Sequence, residues 1–209
     1  MNLTVYLMRH GQTATETPWR FLGQRDAALS DAGRAQAARC RDALSGVDFA
    51  GAWCSDLARC SETAAIILEG HGFAAAPVGG LREISLGEWD GLSVADVKSR
   101  YPGLYEARGA DIGGFRPPGG ESFADLSDRA WGALDTLLAT AASGESRDAN
   151  LLVVAHAGVN RTIMARVLGM PLENLFRLDQ HYGCLNILSF GSGQPRLTRA
   201  NLAPGTLPG

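Results

Sequence analysis

A chain of 209 residues with 45% hydrophobic and 20% charged side chains has the composition of an ordinary folded domain and lies far from that of a disordered one. Its net charge of -3 offers no long-range attraction for nucleic acid, and its arginines are dispersed instead of forming a basic stripe. No apolar run reaches transmembrane length, and Met1 leads straight into the first apolar segment. The expectation is a single cytoplasmic domain over 1–209, without a membrane or nucleic-acid partner and with homo-oligomer formation left open.

The apolar run at 3–8 reads as a buried strand. A helix is expected over 30–44, where Ser30 stands in the N-cap position ahead of recurring Ala and Leu. There follow a strand at 51–54, a helix at 57–68, an extended segment at 77–81, a short helix at 94–101 and a longer one at 123–142. A strand at 151–155, a helix at 160–168, a strand at 184–190 and an edge strand at 195–200 complete the series, and 203–209 reads as a frayed tail. Alternating strands and helices imply an α/β fold of three layers, α/β/α, with a mainly parallel central sheet. Residues 92–122 break the alternation with a short helix and a Gly- and Pro-rich stretch, which is either a cover over the active site or a long surface connection. Cys40, Cys54, Cys60 and Cys184 lack Cys-x-x-Cys or metal-finger spacing, so they read as free thiols and no metal site is expected.

The chemistry concentrates where predicted strands end. Arg9-His10-Gly11 follows the first strand, and His156-Ala157-Gly158 follows a later one, so two histidines far apart in sequence hold equivalent positions. The carboxyl ends of parallel strands are where open α/β sheets bind ligands. A basic pair after one strand is commonly just a solvated strand end, and the recurrence is what argues for a site.

These residues resemble the histidine phosphatase superfamily. Its pieces appear in order over nearly the whole chain: Arg9-His10-Gly11; Arg20-Phe21-Leu22-Gly23 with Leu29-Ser30; Ser55-Asp56-Leu57-Ala58-Arg59 with Thr63-Ala64; Leu81-Arg82-Glu83 with Gly87-Glu88-Trp89-Asp90-Gly91; and His156-Ala157-Gly158. The resemblance implies that His10 is a nucleophile forming a phosphohistidine, with its far ring nitrogen donating to a backbone carbonyl to fix the tautomer. It implies that Arg9, Arg59 and His156 surround the transferring phosphoryl group. An arginine fork grips two oxygens and keeps its proton. With Ser55 as cap, Arg59 falls in the opening turn of its helix, where terminal amides would assist an anion. Glu83 matches the proton donor, a carboxyl expected to have a raised pKa, with Glu88 and Asp90 as rival carboxylates nearby. Gln12, Thr13, Arg20, Leu22, Gly23 and Ala157 are the expected substrate contacts, Gly23 by letting backbone amides approach. One departure is Glu16, where many members carry asparagine: an ionised glutamate repels phosphate unless it points away or Thr15 or Thr17 supplies the contact.

Neither metal nor organic cofactor is implied, and the partner is a small phosphorylated substrate. The insertion after Glu83 is short beside that of phosphoglycerate mutases and holds three arginines, Arg100, Arg108 and Arg116, and the Pro-Gly-Gly-Glu-Ser segment is similar to that of α-ribazole phosphatases. Hydrolysis of α-ribazole 5'-phosphate is therefore the first expectation. A cofactor-dependent mutase is the alternative enzyme, and a silent phospho-ligand binding protein the non-enzyme one. Trp19, Phe21, Trp89 and Phe115 serve equally as a base-stacking wall or as packing residues.

Overall fold

In a computed structural model, which describes residues 2–14, 20–143 and 148–206, a six-stranded sheet is flanked by helices on both faces. The strands are β1 (Asn2–Arg9), β2 (Phe49–Cys54), β3 (Ala76–Pro77), β4 (Asp148–Ala155), β5 (Leu185–Phe190) and β6 (Arg196–Leu202), in the spatial order β3-β2-β4-β1-β5-β6. β1 to β4 are mutually parallel, β5 runs against β1, and β6 runs against β5. β5 is thus the one reversed strand among those described.

Alternation along the strands builds the two faces. Val5 and Leu7 of β1 and Leu151, Val153 and Ala155 of β4 belong to one buried cluster. It contains Leu126, Ala130, Leu134 and Leu137 of α5 (Phe123–Ala142) and Val159, Ile163 and Met164 of α6 (Ala157–Leu168). Met8, Cys54, Leu152, Val154 and Ile187 belong to the other, with Cys40 and Leu44 of α1 (Asp31–Leu44) and Cys60, Ala64 and Ile67 of α2 (Ala58–Ile67). In α5 the buried residues recur at helical spacing, and Ser122 and Asp125 close its start as a capping box. Ser30 caps α1 as expected, accepting from Gly33 N at 3.1 Å.

The differences from the sequence reading are local. Residues 79–81 form a 3-10 turn after the two-residue β3, not an extended segment. α6 starts three residues earlier than expected, directly after His156. The insertion holds α3 (Val94–Arg100) and also α4 (Leu104–Ala110), whose lack of any buried residue explains why no apolar pattern announced it. Tyr101 and Phe115 of this insertion pack on Trp89, which packs on Phe21, and these rings join the insertion to the main buried cluster. Of the expected tail at 203–209, residues 203–206 are not frayed, since Gly205 seats against Arg39 of α1, and 207–209 lie outside the described residues. Thr15, Glu16, Thr17 and Trp19 lie outside the described residues. Among the described residues no helix is long and apolar enough to cross a membrane.

Candidate active site

The parallel register of β1 and β4 pairs Arg9 with Ala155, so the next residues, His10 and His156, leave the sheet side by side. Their ring centroids are 5.1 Å apart, and both side chains are buried. His10 N donates to Ala155 O at 3.0 Å, and Ser55 at the end of β2 donates its N–H to Val154 O at 2.9 Å, which brings a third strand end to the same place.

His10 Nδ1 lies 2.7 Å from Gly11 O. A carbonyl only accepts, so Nδ1 carries the proton and the neutral ring has its lone pair on Nε2. Burial, and then the Arg59 and Arg9 charges, hold His10 well below the ordinary imidazole value of 6.5, so it is neutral at physiological pH. Burial, followed by His10, Arg59 and Arg9, does the same to His156. His156 Nδ1 accepts from Arg59 Nε at 3.2 Å while Nε2 meets Ser55 Oγ at 2.9 Å. With Nδ1 accepting, the neutral ring carries its proton on Nε2 and donates it to the Ser55 hydroxyl oxygen. Cys60 Sγ, 3.3 Å from Ala155 O and from His156 Nε2, completes the wall; burial keeps this thiol protonated.

Arg59 is the second residue of α2, whose N-cap is Leu57 and not Ser55; Ser55 serves His156 instead. Its Nη1 donates to Arg25 O at 2.8 Å and its Nη2 to Gly23 O at 2.7 Å, so three of the five guanidinium N–H groups anchor it and two remain to grip oxygens. The opening amide of α2, Ala58 N, donates to Asp26 Oδ1 at 2.8 Å, so this amide is taken by a carboxylate of the chain itself. Arg9 lies flat on Tyr182, its guanidinium carbon 3.7 Å from the ring centroid, and donates to Gln180 O at 2.5 Å. Its Nε is buried without a partner.

Glu83 approaches from the loop after the 79–81 turn. Its carboxylate accepts from Ile84 N at 2.9 Å and from Gly158 N, in the first turn of α6, at 3.1 Å. Residue 158 must be glycine for this approach, since a Cβ there would stand 2.3 Å from Glu83 Oε1. The rival carboxylates are occupied elsewhere: Glu88 accepts from the Tyr101 hydroxyl on the surface. Asp90 accepts from Gly23, Gln24 and Arg25 N–H groups at 2.9–3.0 Å. That use of Asp90 corrects the reading of Gly23, whose amide faces Asp90 and whose carbonyl faces Arg59; a Cβ would meet Ile84 O at 2.8 Å, so glycine serves close packing here.

A cavity of about 130 Å³ is lined by Thr13, Arg20, Phe21, Leu22, Arg25 and Tyr182, among others, and Tyr182, whose ring centroid is 5.7 Å from that of His10, joins it to the histidine pair. Arg20 also donates to Gly91 O at 3.0 Å. Gln12 is tied to α1 through its N–H to Gln36 Oε1 at 2.8 Å, and Ala157 opens α6 next to His156. Sequence reasoning missed Tyr182, the role of Ser55, and the loop-holding role of Asp90. Ser55 and Asp90 sat within quoted motifs, but nothing local marked Tyr182. Among the described residues no three His, Cys, Asp or Glu side chains gather to hold a metal ion.

The fold and the paired strand-end histidines define a class, and comparison names it: residues 5–203 match the model of the histidine phosphatase superfamily (branch 1), and the chain belongs to that family. It is 33% identical over 170 residues to glucosyl-3-phosphoglycerate phosphatase of Mycolicibacterium vanbaalenii, covering 80% of this chain and 75% of that protein. It is 30% identical over 184 residues to adenosylcobalamin/alpha-ribazole phosphatase of Escherichia coli, covering 87% of each. The native structure of a mycobacterial glucosyl-3-phosphoglycerate phosphatase superposes with a TM-score of 0.85 at 29% identity, over 97% of this chain and all of that one. The protein is an enzyme of the phosphoric monoester hydrolase class.

Proposed function

We propose that the protein hydrolyses a small phosphomonoester in two displacements through phospho-His10. The observation that carries this reading is a buried, neutral His10 whose proton is pinned on Nδ1 by Gly11 O, beside Arg9, Arg59 and His156. The Nε2 lone pair attacks phosphorus as the ester P–O bond breaks, and the leaving alkoxide takes the proton of the Glu83 carboxyl. Ionised Glu83 then takes a proton from water as the water oxygen attacks phosphorus. The P–N bond breaks, its electrons return to Nε2, and Glu83 is again protonated. Arg9 and Arg59 stabilise the equatorial oxygens, and His156, whose Nδ1 accepts from Arg59 Nε, holds that guanidinium in place beside the phosphoryl group. The route calls on no metal ion or organic cofactor.

α-Ribazole 5'-phosphate is the substrate we place first, supported by the short insertion and by the likeness to the Escherichia coli phosphatase along 87% of both chains. A second reading, a phosphoester of a carboxylate-bearing alcohol such as glucosyl-3-phosphoglycerate, is favoured by Arg20 and Arg25 in the cavity wall. Thr13, Leu22 and Tyr182 line the same cavity and would meet the alcohol in either case, with Gln12 and Ala157 close to the phosphoryl group. The four free, buried thiols suit a cytoplasmic setting. The test is phosphate release by EDTA-treated protein over both substrates, sugar phosphates, 3-phosphoglycerate and p-nitrophenyl phosphate, with trapping of the phosphoenzyme. A His10→Ala protein that folds and neither turns over nor becomes phosphorylated is the expected result. Retained turnover in that variant refutes the mechanism, and isomerisation of 3-phosphoglycerate outrunning hydrolysis makes the enzyme a mutase.

A further inference from the structure

Glu83 lies on a segment without regular structure, residues 82–86, and a proton donor there needs something to hold it. Its carboxylate is steered by two N–H groups, but the main chain beneath it is gripped from the opposite side by α5. Arg129 Nη1 donates to Gly80 O at 3.0 Å and to Arg82 O at 2.9 Å, and Nη2 donates to Glu83 O at 3.3 Å. The rest of the guanidinium forms a fork on Glu121, Nε to Oε1 at 2.8 Å and Nη2 to Oε2 at 2.7 Å. Glu121 in turn brackets Ser85, accepting its N–H at 2.8 Å and donating its own N–H to Ser85 O at 2.8 Å. Both side chains are about three-quarters buried, at 25% and 23% exposure, so the pair is shielded from the screening that weakens surface pairs. Burial works to raise the Glu121 carboxyl, but the Arg129 bonds and Ser85 N–H outweigh it and leave the group below its usual 4.5.

The neighbouring ion pair shows what an ordinary contact looks like here. Arg116 forms an equally good fork on Asp125 one turn away, but it is 61% exposed and holds no loop carbonyl. A pair serving only to close the start of α5 would need no more than that. The Arg129–Glu121 pair instead makes one bond to the 79–81 turn, two to residues 82 and 83, and two to the residue after Ile84, which fixes the direction in which residue 83 leaves the main chain.

We propose that Arg129 and Glu121 are positioning residues that set the placement of Glu83 as proton donor, through the carbonyls of residues 80, 82 and 83 and both backbone groups of Ser85. This rests on the acid role of Glu83 given above. An unplaced acid fails only where a proton is needed at the leaving oxygen. The loss therefore depends on the leaving group, which a general loosening of the fold does not produce.

The experiment compares kcat/KM, which reports the steps through departure of the alcohol, for an alkyl phosphate and for p-nitrophenyl phosphate. Arg129→Lys keeps the charge and loses the fork; Glu121→Gln keeps the shape and the carbonyl contacts of Arg129. Arg129→Lys is expected to lose about 10- to 100-fold on the alkyl ester and less than about 3-fold on the aryl ester, as misplacement of a catalytic group by about 1 Å predicts. Glu121→Gln shows the same selectivity to a smaller extent and decides the matter if Arg129→Lys fails to fold. Arg116→Ala serves as the control, with equal and small changes on both esters. If Glu83→Gln is selective for the alkyl ester and neither clamp variant is, the positioning role is overturned while the acid role stands. If Glu83→Gln itself loses equally on both esters, the acid role falls and the clamp proposal falls with it.

Discussion

Acidification should unfold this protein earlier than its surface charges require, because His10 and His156 are buried in their neutral forms beside two arginines. Both imidazoles lie well below 6.5 in the folded chain and return to about that value on unfolding. Between the folded and unfolded values the unfolded chain binds more protons, so stability is complete above 6.5 and falls as the pH drops below it. From about pH 7.5 to about pH 5.5 the unfolded imidazole goes from about one-tenth to about nine-tenths protonated, which favours unfolding by up to about 1.4 kcal/mol per histidine, the limit reached when the folded ring takes up no proton. For the two together the loss is at most about 2.7 kcal/mol, a large part of a typical net stability. The carboxylates held below their ordinary values by partners, such as Asp56, Asp96 and Glu121, belong to a lower window, since those ordinary values are 3.8 and 4.5. Urea unfolding across this pH range at fixed ionic strength, for the wild type and for a His10→Gln/His156→Gln double variant, isolates the effect, because His71 and His181 are common to both proteins. The stability difference between the two should shift in favour of the variant as the pH falls, by up to about 2.7 kcal/mol. Parallel curves would refute the claim that these imidazoles are folded in neutral form.

Gly158→Ala places a methyl group 2.3 Å from Glu83 Oε1 and must displace that carboxylate. Because alanine favours a helix by up to about 1 kcal/mol, thermal unfolding should change little while kcat/KM on alkyl phosphates falls about 100-fold or more. Asp90→Ala frees three backbone N–H groups and loosens the carbonyls of Gly23 and Arg25 that seat Arg59. A stability loss of about 1–3 kcal/mol and weaker inhibition by inorganic phosphate should follow; unchanged phosphate affinity would sever Asp90 from Arg59. Tyr182→Phe should behave as the wild type, whereas Tyr182→Ala, which removes the ring under Arg9, should raise KM about 2- to 30-fold, as read from initial rates. An equal loss in both variants would point to the hydroxyl instead.

The local chain already determined the alternation of apolar strands and capped helices, hence the layered α/β fold, because periodicity and caps act within a few residues. It also placed two histidines after two strands and kept Arg9, Arg59 and Glu83 within short motifs whose order marked the family. What it left open depended on which strands become neighbours. The order β2-β4-β1-β5 sets Ser55 against His156 and carries the segment with Tyr182 under Arg9 from more than 170 residues away. The choice among Glu83, Glu88 and Asp90 is likewise tertiary: three carboxylates in one short stretch differ only in what reaches them, Gly158 N–H for the first, a surface tyrosine for the second, a loop of amides for the third. α4 escaped notice because none of its residues is fully buried, and the hold of Arg129 on Glu83 because a guanidinium reaching loop carbonyls leaves no periodic trace. Local physics decides what each segment becomes. Only the packed sheet decides which side chains share a place from which water is excluded, and there burial and charge make a neutral histidine out of an ordinary one.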